Sequence, residues 1–257
     1  TPDFIVIGAE KCGTTSLFQY LSRHPAILSP IEKEIDFFDM EYERGLDWYL
    51  SHFPPVLPQS GPSGRTVTGE TSANYLYSDS APARIAECFP SVQLIVLLRH
   101  PVERAISRYN MMVRNRVELR SFDAAIRQEM SLISDAMTDG SIPWSVLNRC
   151  RYIGNGLYYY HIKRWLDHFP IEQLLVLPSE TLFVHPERTL QRLYSRIGLQ
   201  GIPAQDKANP SYPKYNAGEY TVAVSADIQR QRFDFFELHT QKLESLLDCS
   251  FNWRSPD

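Results

Sequence analysis

The stretch Asp3-Phe-Ile-Val-Ile-Gly-Ala-Glu-Lys-Cys-Gly-Thr-Thr-Ser16 decides the fold class of this 257-residue chain. Its apolar run, Phe4 to Ile7, is short and β-branched, which is typical of a strand buried on both faces of a parallel sheet. The strand stops at Gly8, and Gly13 precedes three hydroxyl residues and an amphipathic helix. This order predicts an anion site, because the N–H groups of the turn and the helix N-terminus carry partial positive charge.

Gly8 and Gly13 have the spacing of the nucleotide-binding P-loop, but the residue after Gly13 is threonine where that loop has lysine. The lysine lies inside the turn, at Lys11. A kinase or ATPase also needs an acidic residue after a neighbouring strand to hold magnesium. Here the second apolar run, Gln93 to Leu98, is followed by Arg99. The sequence therefore predicts a phosphate site that uses protein cations and no metal, and a P-loop kinase or nucleotide-binding module is a remote alternative.

Two segments carry a family resemblance at this site. Lys11-Cys-Gly-Thr-Thr-Ser16, directly after a buried strand, resembles the 5′-phosphosulfate loop of sulfotransferases that use 3′-phosphoadenosine 5′-phosphosulfate (PAPS). Leu97-Leu-Arg-His-Pro-Val-Glu-Arg-Ala-Ile-Ser107 resembles their 3′-phosphate element, with Arg99 and Ser107 at the contacting positions.

Two further segments are similar to the heparan-sulfate-type branch of that family, which includes sulfotransferase domains of polyketide-type assembly lines. Lys33-Glu-Ile-Asp-Phe-Phe-Asp39 resembles its K-E-x-x-F-F-D motif, and the stretch 156–166 resembles a segment near the adenosine. The resemblance implies that PAPS, with 3′-phosphoadenosine 5′-phosphate (PAP) as product, contacts Lys11, Cys12, Gly13, Thr14, Thr15, Ser16, Arg99, Ser107, Tyr158 and Lys214.

The resemblance also implies a mechanism. Charge grows on the departing phosphate, so Lys11 is expected to stabilise it. The acceptor hydroxyl needs a base, and Glu34 matches the base of the glycan branch. Asp36 and Asp39 are expected to raise nearby carboxyl pKa values. The alternative for Glu34 is a surface carboxylate paired with its neighbouring lysine; the fallback bases are His52 and His100, although His100 is expected to cap a helix.

The acceptor is less well defined by the sequence. A net charge of −4 gives no support for a polyanionic glycan or nucleic acid. In the glycan branch a lysine follows the residue that matches Glu70, but here Thr71 stands there. The resemblance therefore favours the β-hydroxyl of an acyl chain on a carrier protein, with a carbohydrate hydroxyl as the alternative.

The composition of the sequence predicts the cellular compartment of the protein. The sequence contains no run of 18 apolar residues and no basic lead-in to its first apolar segment, so neither a membrane span nor a signal peptide is expected. The four cysteines are far apart, which predicts reduced thiols in a cytoplasmic protein. Cys12 is expected to be a small residue that fits the turn rather than a reactive thiol.

Alternating strand and helix patterns predict one three-layer α/β domain over 1–257, P-loop-like by the resemblance, with a central parallel sheet flanked by helices. Residues 111–150 match no catalytic motif and are predicted to form a substrate-covering lid. Arg104 and Arg108 lie either at the phosphate or on a solvated helix face. Predicted helices cover 14–23, 44–52, 81–88, a stretch from Pro101, 122–137, 155–169, 186–197 and 226–247; predicted strands cover 4–7, 66–70, 93–98 and 173–177; 54–64 and 200–220 are predicted loops.

Overall fold

The computed structural model describes residues 1–55, 66–199, 211–215 and 226–253, with backbone alone at 226–233. Most of the predicted loops at 54–64 and 200–220 lies outside the described residues. Contacts divide the chain into two compact units, each made of two segments. The first unit is Thr1–Leu98 with Arg164–Asn216, and the second is Arg99–Lys163 with Ala217–Asp257. That the whole chain acts as one domain stays a prediction.

The first unit contains a sheet of five parallel strands in the order β2-β3-β1-β4-β5. The three predicted apolar strands β1, β4 and β5 are confirmed, and every residue of β1 is buried, as expected for a strand covered on both faces. The strands are β1 (Phe4–Gly8), β2 (Ile27–Leu28), β3 (Val67–Thr71), β4 (Gln93–Leu98) and β5 (Leu174–Pro178).

Helices of the first unit flank this sheet, which confirms the predicted P-loop-like α/β class. They are α1 (Thr14–Leu21), α2 (Leu46–Leu50), α3 (Ala81–Cys88), α8 (Ser179–Val184) and α9 (Pro186–Arg196). Between β2 and α2, a π-helical turn covers Phe37–Glu41 and a 3-10 turn covers Tyr42–Arg44. Because β1 and β3 are parallel, the loop after Gly8 and the residues after Thr71 leave the sheet at the same edge.

The second unit is helical. It holds α4 (Pro101–Arg114), α5 (Phe122–Ala136), α6 (Trp144–Arg149), the start of α7 (Tyr158–Leu166) and α10 (Ala226–Leu247). Helix α7 begins three residues later than predicted, because Gly154–Gly156 forms a separate 3-10 turn. The region 111–150 contributes buried residues to the core of this unit, among them Phe122, Ile126 and Leu147. Whether it moves as a lid stays a prediction.

Gly13 and Gly45 differ in the space available for a side chain, so alanine substitutions at both test how tightly the turn before α1 is packed. Both have positive φ, 96° and 83°, but a Cβ on Gly13 would lie 2.9 Å from Phe183 Cζ, whereas Gly45 has no atom within 4 Å of that position. We expect Gly45→Ala to lower the free energy of unfolding by about 1–3 kcal/mol through backbone conformation alone, because its φ of 83° and ψ of 156° lie in a region essentially restricted to glycine. Gly13 has φ 96° and ψ 17°, in the left-handed helical region, so Gly13→Ala should lose about 1–2 kcal/mol through its backbone and about 1–3 kcal/mol more through overpacking against Phe183.

Urea denaturation of the two variants and the wild type measures both losses. A Gly13→Ala loss of no more than about 1–2 kcal/mol, which is the backbone cost alone, would contradict the packing argument, because it would show that the phenyl ring yields without cost.

Candidate active site

The loop between β1 and α1 has the geometry of an anion cradle. The start of the loop is fixed because the Ala9 N–H donates to the Leu97 carbonyl at 2.9 Å. Within the loop, the Cys12 N–H donates to the Ala9 carbonyl at 3.1 Å. Lys11 and Gly13 both have positive φ, which reverses the chain sharply before the helix. The first intrahelical bond runs from the Leu17 N–H to the Gly13 carbonyl, so the preceding N–H groups lie at the open helix end.

The residues around this loop differ in exposure. Thr14 and Ser16 are buried, whereas Lys11 and Thr15 are half-buried. Cys12 is fully buried, and its Sγ lies 3.7 Å from the Glu10 carbonyl, which agrees with a small residue that fits the turn.

The segment 211–215 packs on the same loop. The Tyr215 N–H donates to Ser16 Oγ at 2.9 Å, and the Tyr20 hydroxyl donates to the Pro213 carbonyl at 2.8 Å. The Lys214 ammonium lies 4.6 Å from the centre of the Phe183 ring, the ring that also lies against Gly13. The structure therefore brings the sequence-predicted Lys214 to the phosphate loop; its contact with PAPS stays a prediction.

The carboxylate of Glu34 is held at the same edge of the sheet. The Ala73 N–H donates to Glu34 Oε2 at 2.8 Å, and the Ala73 carbonyl oxygen lies 3.2 Å from where a Cβ on Gly8 would stand. Lys33 pairs with Glu34 Oε1, as the surface alternative predicted, but the Glu34 side chain is only 35% exposed and has this second, backbone partner.

The backbone of this segment is strained. Glu34 and Asp36 have φ of 61° and 51°, in the left-handed region that costs a non-glycine residue about 1–2 kcal/mol. Such conformations persist where surrounding contacts enforce them, and they cluster at functional sites. With Lys11, three non-glycine residues of the predicted site share this feature.

Glu70 is the most deeply buried acidic group of the site. It is fully buried at the end of β3 and accepts hydrogen bonds from the Ser72 and Tyr49 hydroxyls at 2.7 and 2.8 Å, and from Tyr75 at 3.3 Å. The sequence matched Glu70 to a position of the glycan branch but predicted no role for it. The missing signal is tertiary, because Tyr49 lies 21 residues away.

Burial dominates the electrostatics here. It raises the pKa of Glu70 to about 7, although the three hydroxyl donors favour the ionised form. Burial first, and the charge of Asp36 second, raise the pKa of Asp39 to about 6. Burial likewise lowers the pKa of Lys33 to about 8. The expected upward shift of carboxyl pKa values is therefore present, but charge clustering is its second cause.

In the second unit, Arg99 precedes α4. Its guanidinium pairs with Glu103 Oε2 at 3.2 Å, and its backbone carbonyl accepts a hydrogen bond from the Tyr158 hydroxyl at 2.9 Å. Tyr158 is buried, so its hydroxyl fixes the Arg99 main chain. Ser107 lies half-buried two turns along α4. The predicted contacts of these three residues with PAPS stay predictions.

Arg104 and Arg108 correct one sequence-based alternative. The solvated helix face is wrong, because Arg104 is fully buried and Arg108 is 7% exposed. Arg104 donates from Nη2 to the carbonyls of Arg151 and Tyr152. The neighbouring Glu129 accepts from the Tyr152 N–H, so these charges hold the chain that leads into α7.

The two histidines named as fallback bases have structural roles in the described residues. His100 Nδ1 accepts a hydrogen bond from the Val102 N–H at 3.2 Å, which confirms it as the cap of α4. His52 Nε2 lies 3.4 Å from Glu32 Oε1, and His52 Nδ1 lies 2.9 Å from the Trp48 carbonyl oxygen.

The described residues contain neither a grouped set of metal-binding side chains nor a helix that could span a membrane. Over 1–55, 66–199, 211–215 and 226–253, no three His, Cys, Asp or Glu side chains are grouped to hold a metal ion. Within that same part of the chain, none of the helices has the length and apolar character needed to cross a membrane.

Comparison with known proteins identifies relatives of this site. The family model described as the sulfotransferase domain matches residues 1–209. The crystal structure of a sulfotransferase from Alicyclobacillus acidocaldarius superposes with a TM-score of 0.74 at 26% identity and covers 98% of both chains.

This chain spans less than two thirds of the length of two curated relatives that it matches. The mouse heparan sulfate glucosamine 3-O-sulfotransferase 3B1 is 30% identical over an alignment of 270 positions that covers 98% of this chain and 65% of that protein. The human bifunctional heparan sulfate N-deacetylase/N-sulfotransferase 3 is 35% identical over an alignment of 209 positions that covers 77% of this chain and 22% of that protein.

Proposed function

Since this chain belongs to the sulfotransferase family, we propose that it transfers the sulfuryl group of PAPS to an acceptor hydroxyl, with Glu34 as base. The observation that supports this proposal is that the Glu34 carboxylate and the loop that bears Lys11 lie at the same edge of the sheet. Ala73 lies beside both, because its N–H donates to Glu34 Oε2 at 2.8 Å and its carbonyl oxygen lies 3.2 Å from where a Cβ on Gly8 would stand.

The loop fits the phosphosulfate group of PAPS. Bound PAPS supplies an electrophilic sulfuryl group and a leaving phosphate. Lys11 and the N–H groups of Thr14, Thr15 and Ser16 would hold that phosphate and stabilise its growing negative charge. Gly13 would contribute a backbone N–H group, and Lys214 a second cation. The Cys12 N–H already donates to the Ala9 carbonyl, so Cys12 would line the loop as a small residue that fits the turn. In the second unit, Arg99 and Ser107 would hold the 3′-phosphate, with the Tyr158 ring near the adenosine.

Glu34 has the contacts that a general base needs. One carboxylate oxygen is fixed by the Ala73 N–H, so the side chain is oriented before the acceptor arrives. The other oxygen pairs with Lys33, which compensates the charge of the carboxylate. Glu34 takes the proton of the acceptor hydroxyl as the oxygen attacks sulfur.

The charge around Glu34 bears on the acceptor. The segment 31–44 holds six acidic and two basic residues. Two apolar side chains of the same segment, Ile31 and Met40, are 82% and 76% exposed. A polyanionic glycan would be repelled here, whereas an apolar, uncharged chain would meet exposed apolar side chains. This supports the β-hydroxyl of a carrier-bound acyl chain, as in polyketide-type pathways. The free thiols of Cys88 and Cys150 support a cytoplasmic location as part of this proposal.

A carbohydrate hydroxyl is the second candidate acceptor. The observation in its favour is that the curated relatives at 30% and 35% identity are named for heparan sulfate. Thr71 and the acidic segment 31–44 argue for a neutral sugar within that candidate.

Removing the proposed base tests the mechanism. We expect Glu34→Gln to lower kcat for transfer from radiolabelled PAPS at least ~100-fold, because general base catalysis contributes about 10²–10⁴-fold. The affinity for PAP should stay within about twofold, since the amide keeps the size of the side chain. Glu32→Gln, at a nearby and 59% exposed side chain, is the matched control and should keep wild-type kcat.

Comparable kcat for Glu34→Gln and the wild type would contradict the role of Glu34. Loss of PAP affinity in parallel with kcat would show a binding defect instead of a missing base.

An acceptor panel separates the candidates. A β-hydroxyacyl carrier protein, a neutral oligosaccharide and a polyanionic oligosaccharide are compared at low and high salt. We expect kcat/KM to be highest for the acyl acceptor and at least ~10-fold lower for the polyanion, whose kcat/KM should rise as salt screens repulsion. A polyanion that reacts best, with kcat/KM falling in salt, would contradict the acyl assignment and reveal a basic groove.

A further inference from the structure

The buried carboxylate of Glu70 lies at the centre of two short hydrogen-bond chains. The Ser72 hydroxyl donates to Glu70 Oε2 at 2.7 Å, and the Asp36 N–H donates to Ser72 Oγ at 3.1 Å. The Tyr75 hydroxyl donates to Glu70 Oε1 at 3.3 Å, and the Phe38 N–H donates to Tyr75 Oη at 3.3 Å. Both chains therefore end on the backbone of the segment that carries Glu34.

The polarity of these chains is set by Glu70. A hydroxyl has one proton, so a hydroxyl that donates to a carboxylate turns its lone pairs to other donors. Glu70 accepts at both oxygens, which directs the Ser72 and Tyr75 lone pairs at the two backbone N–H groups. All three side chains are fully buried, so water does not compete for these positions.

The N–H groups of Asp36 and Phe38, which the two hydroxyls hold, lie in a stretch of strained backbone. Asp36 itself and Glu34 have left-handed φ, and the π-helical turn begins at Phe37. Independent contacts hold the ends of the segment, because the Glu34 N–H donates to the Thr71 carbonyl and Arg84 donates to the Phe38 carbonyl. The hydroxyl relays supply the anchors between these ends.

From this arrangement we infer that Glu70 is a positioning residue for sulfuryl transfer: through Ser72 and Tyr75 it fixes the backbone that aims Glu34 at the acceptor. The inference rests on the proposed role of Glu34. Glu70 does not touch the reacting atoms, and its effect on the reaction passes through two hydroxyls that can each be removed singly.

Tyr49 provides the matched control. Its hydroxyl donates to the same Glu70 Oε1 at 2.8 Å, but among the described residues no backbone N–H donates to this hydroxyl. The Tyr49 and Phe37 ring centres are 4.9 Å apart. Tyr49→Phe therefore removes one buried hydrogen bond to Glu70 and keeps the ring contacts. It shares the structural cost of the other variants without breaking a relay.

The experiment compares Ser72→Ala, Tyr75→Phe and Tyr49→Phe with the wild-type chain by amide hydrogen exchange and by kinetics. We expect Ser72→Ala to accelerate exchange at the Asp36 amide at least ~10-fold and Tyr75→Phe to do so at Phe38, with neither amide changed in Tyr49→Phe. The kcat for transfer from PAPS should fall at least ~10-fold in the two relay variants and stay within about twofold in Tyr49→Phe.

PAP affinity, measured by calorimetry, should stay within about twofold in all three variants, which separates positioning of Glu34 from damage to the phosphate loop. Equal kcat losses in all three variants, or unchanged exchange at Asp36 and Phe38, would overturn the inference. A wild-type chain that transfers no sulfuryl group would refute the proposed function instead, and the exchange pattern would then decide the positioning claim by itself.

Discussion

The constraint on which the candidate site depends is a sharp chain reversal at the edge of a parallel sheet. Strand β1 ends at this edge, and the chain must reverse within a few residues so that helix α1 presents its N-terminal N–H groups. The positive φ of Lys11 and Gly13 makes that reversal possible, and the Phe183 ring leaves no room for a side chain at Gly13. In the proposed function, the N-terminal dipole of α1 and Lys11 would meet the charge of the phosphate.

The same edge also carries the negative charge of the Glu34 carboxylate, which in the proposed mechanism removes the proton of the acceptor hydroxyl. Under the proposed mechanism the Glu34 carboxylate, which already pairs with Lys33, must keep a fixed geometry to accept a proton from the acceptor. Here Ala73, Ser72 and Tyr75, which follow β3 closely, hold the segment around Glu34 by its backbone as well as by its side chain. Burial of Glu70 beneath them makes those contacts rigid, since its hydrogen bonds have no competition from water.

Local patterns in the sequence predicted what local physics determines. The apolar run of β1, the glycine turn, the proline after His100 and the helix that follows need only neighbouring residues, and each is present. The two-residue strand β2, the burial of Arg104 and the hydrogen bonds of Glu70 were not predicted, because they depend on partners far along the chain. The site was predicted by a resemblance whose motifs lie on strand ends, and its supporting contacts became visible only in three dimensions.

The proposed function requires that the chain bind, without metal, an adenosine nucleotide that carries phosphate groups on both the 3′ and the 5′ oxygen of its ribose. Calorimetric titration of the wild type and Arg99→Ala with PAP, with adenosine 5′-phosphosulfate, and with ATP plus magnesium measures this binding. The account predicts metal-free PAP binding that is tighter than ATP binding, and a selective loss of about 10–100-fold in PAP affinity for Arg99→Ala, with adenosine 5′-phosphosulfate unaffected. Tighter binding of ATP with magnesium, or unchanged PAP affinity in Arg99→Ala, would contradict it.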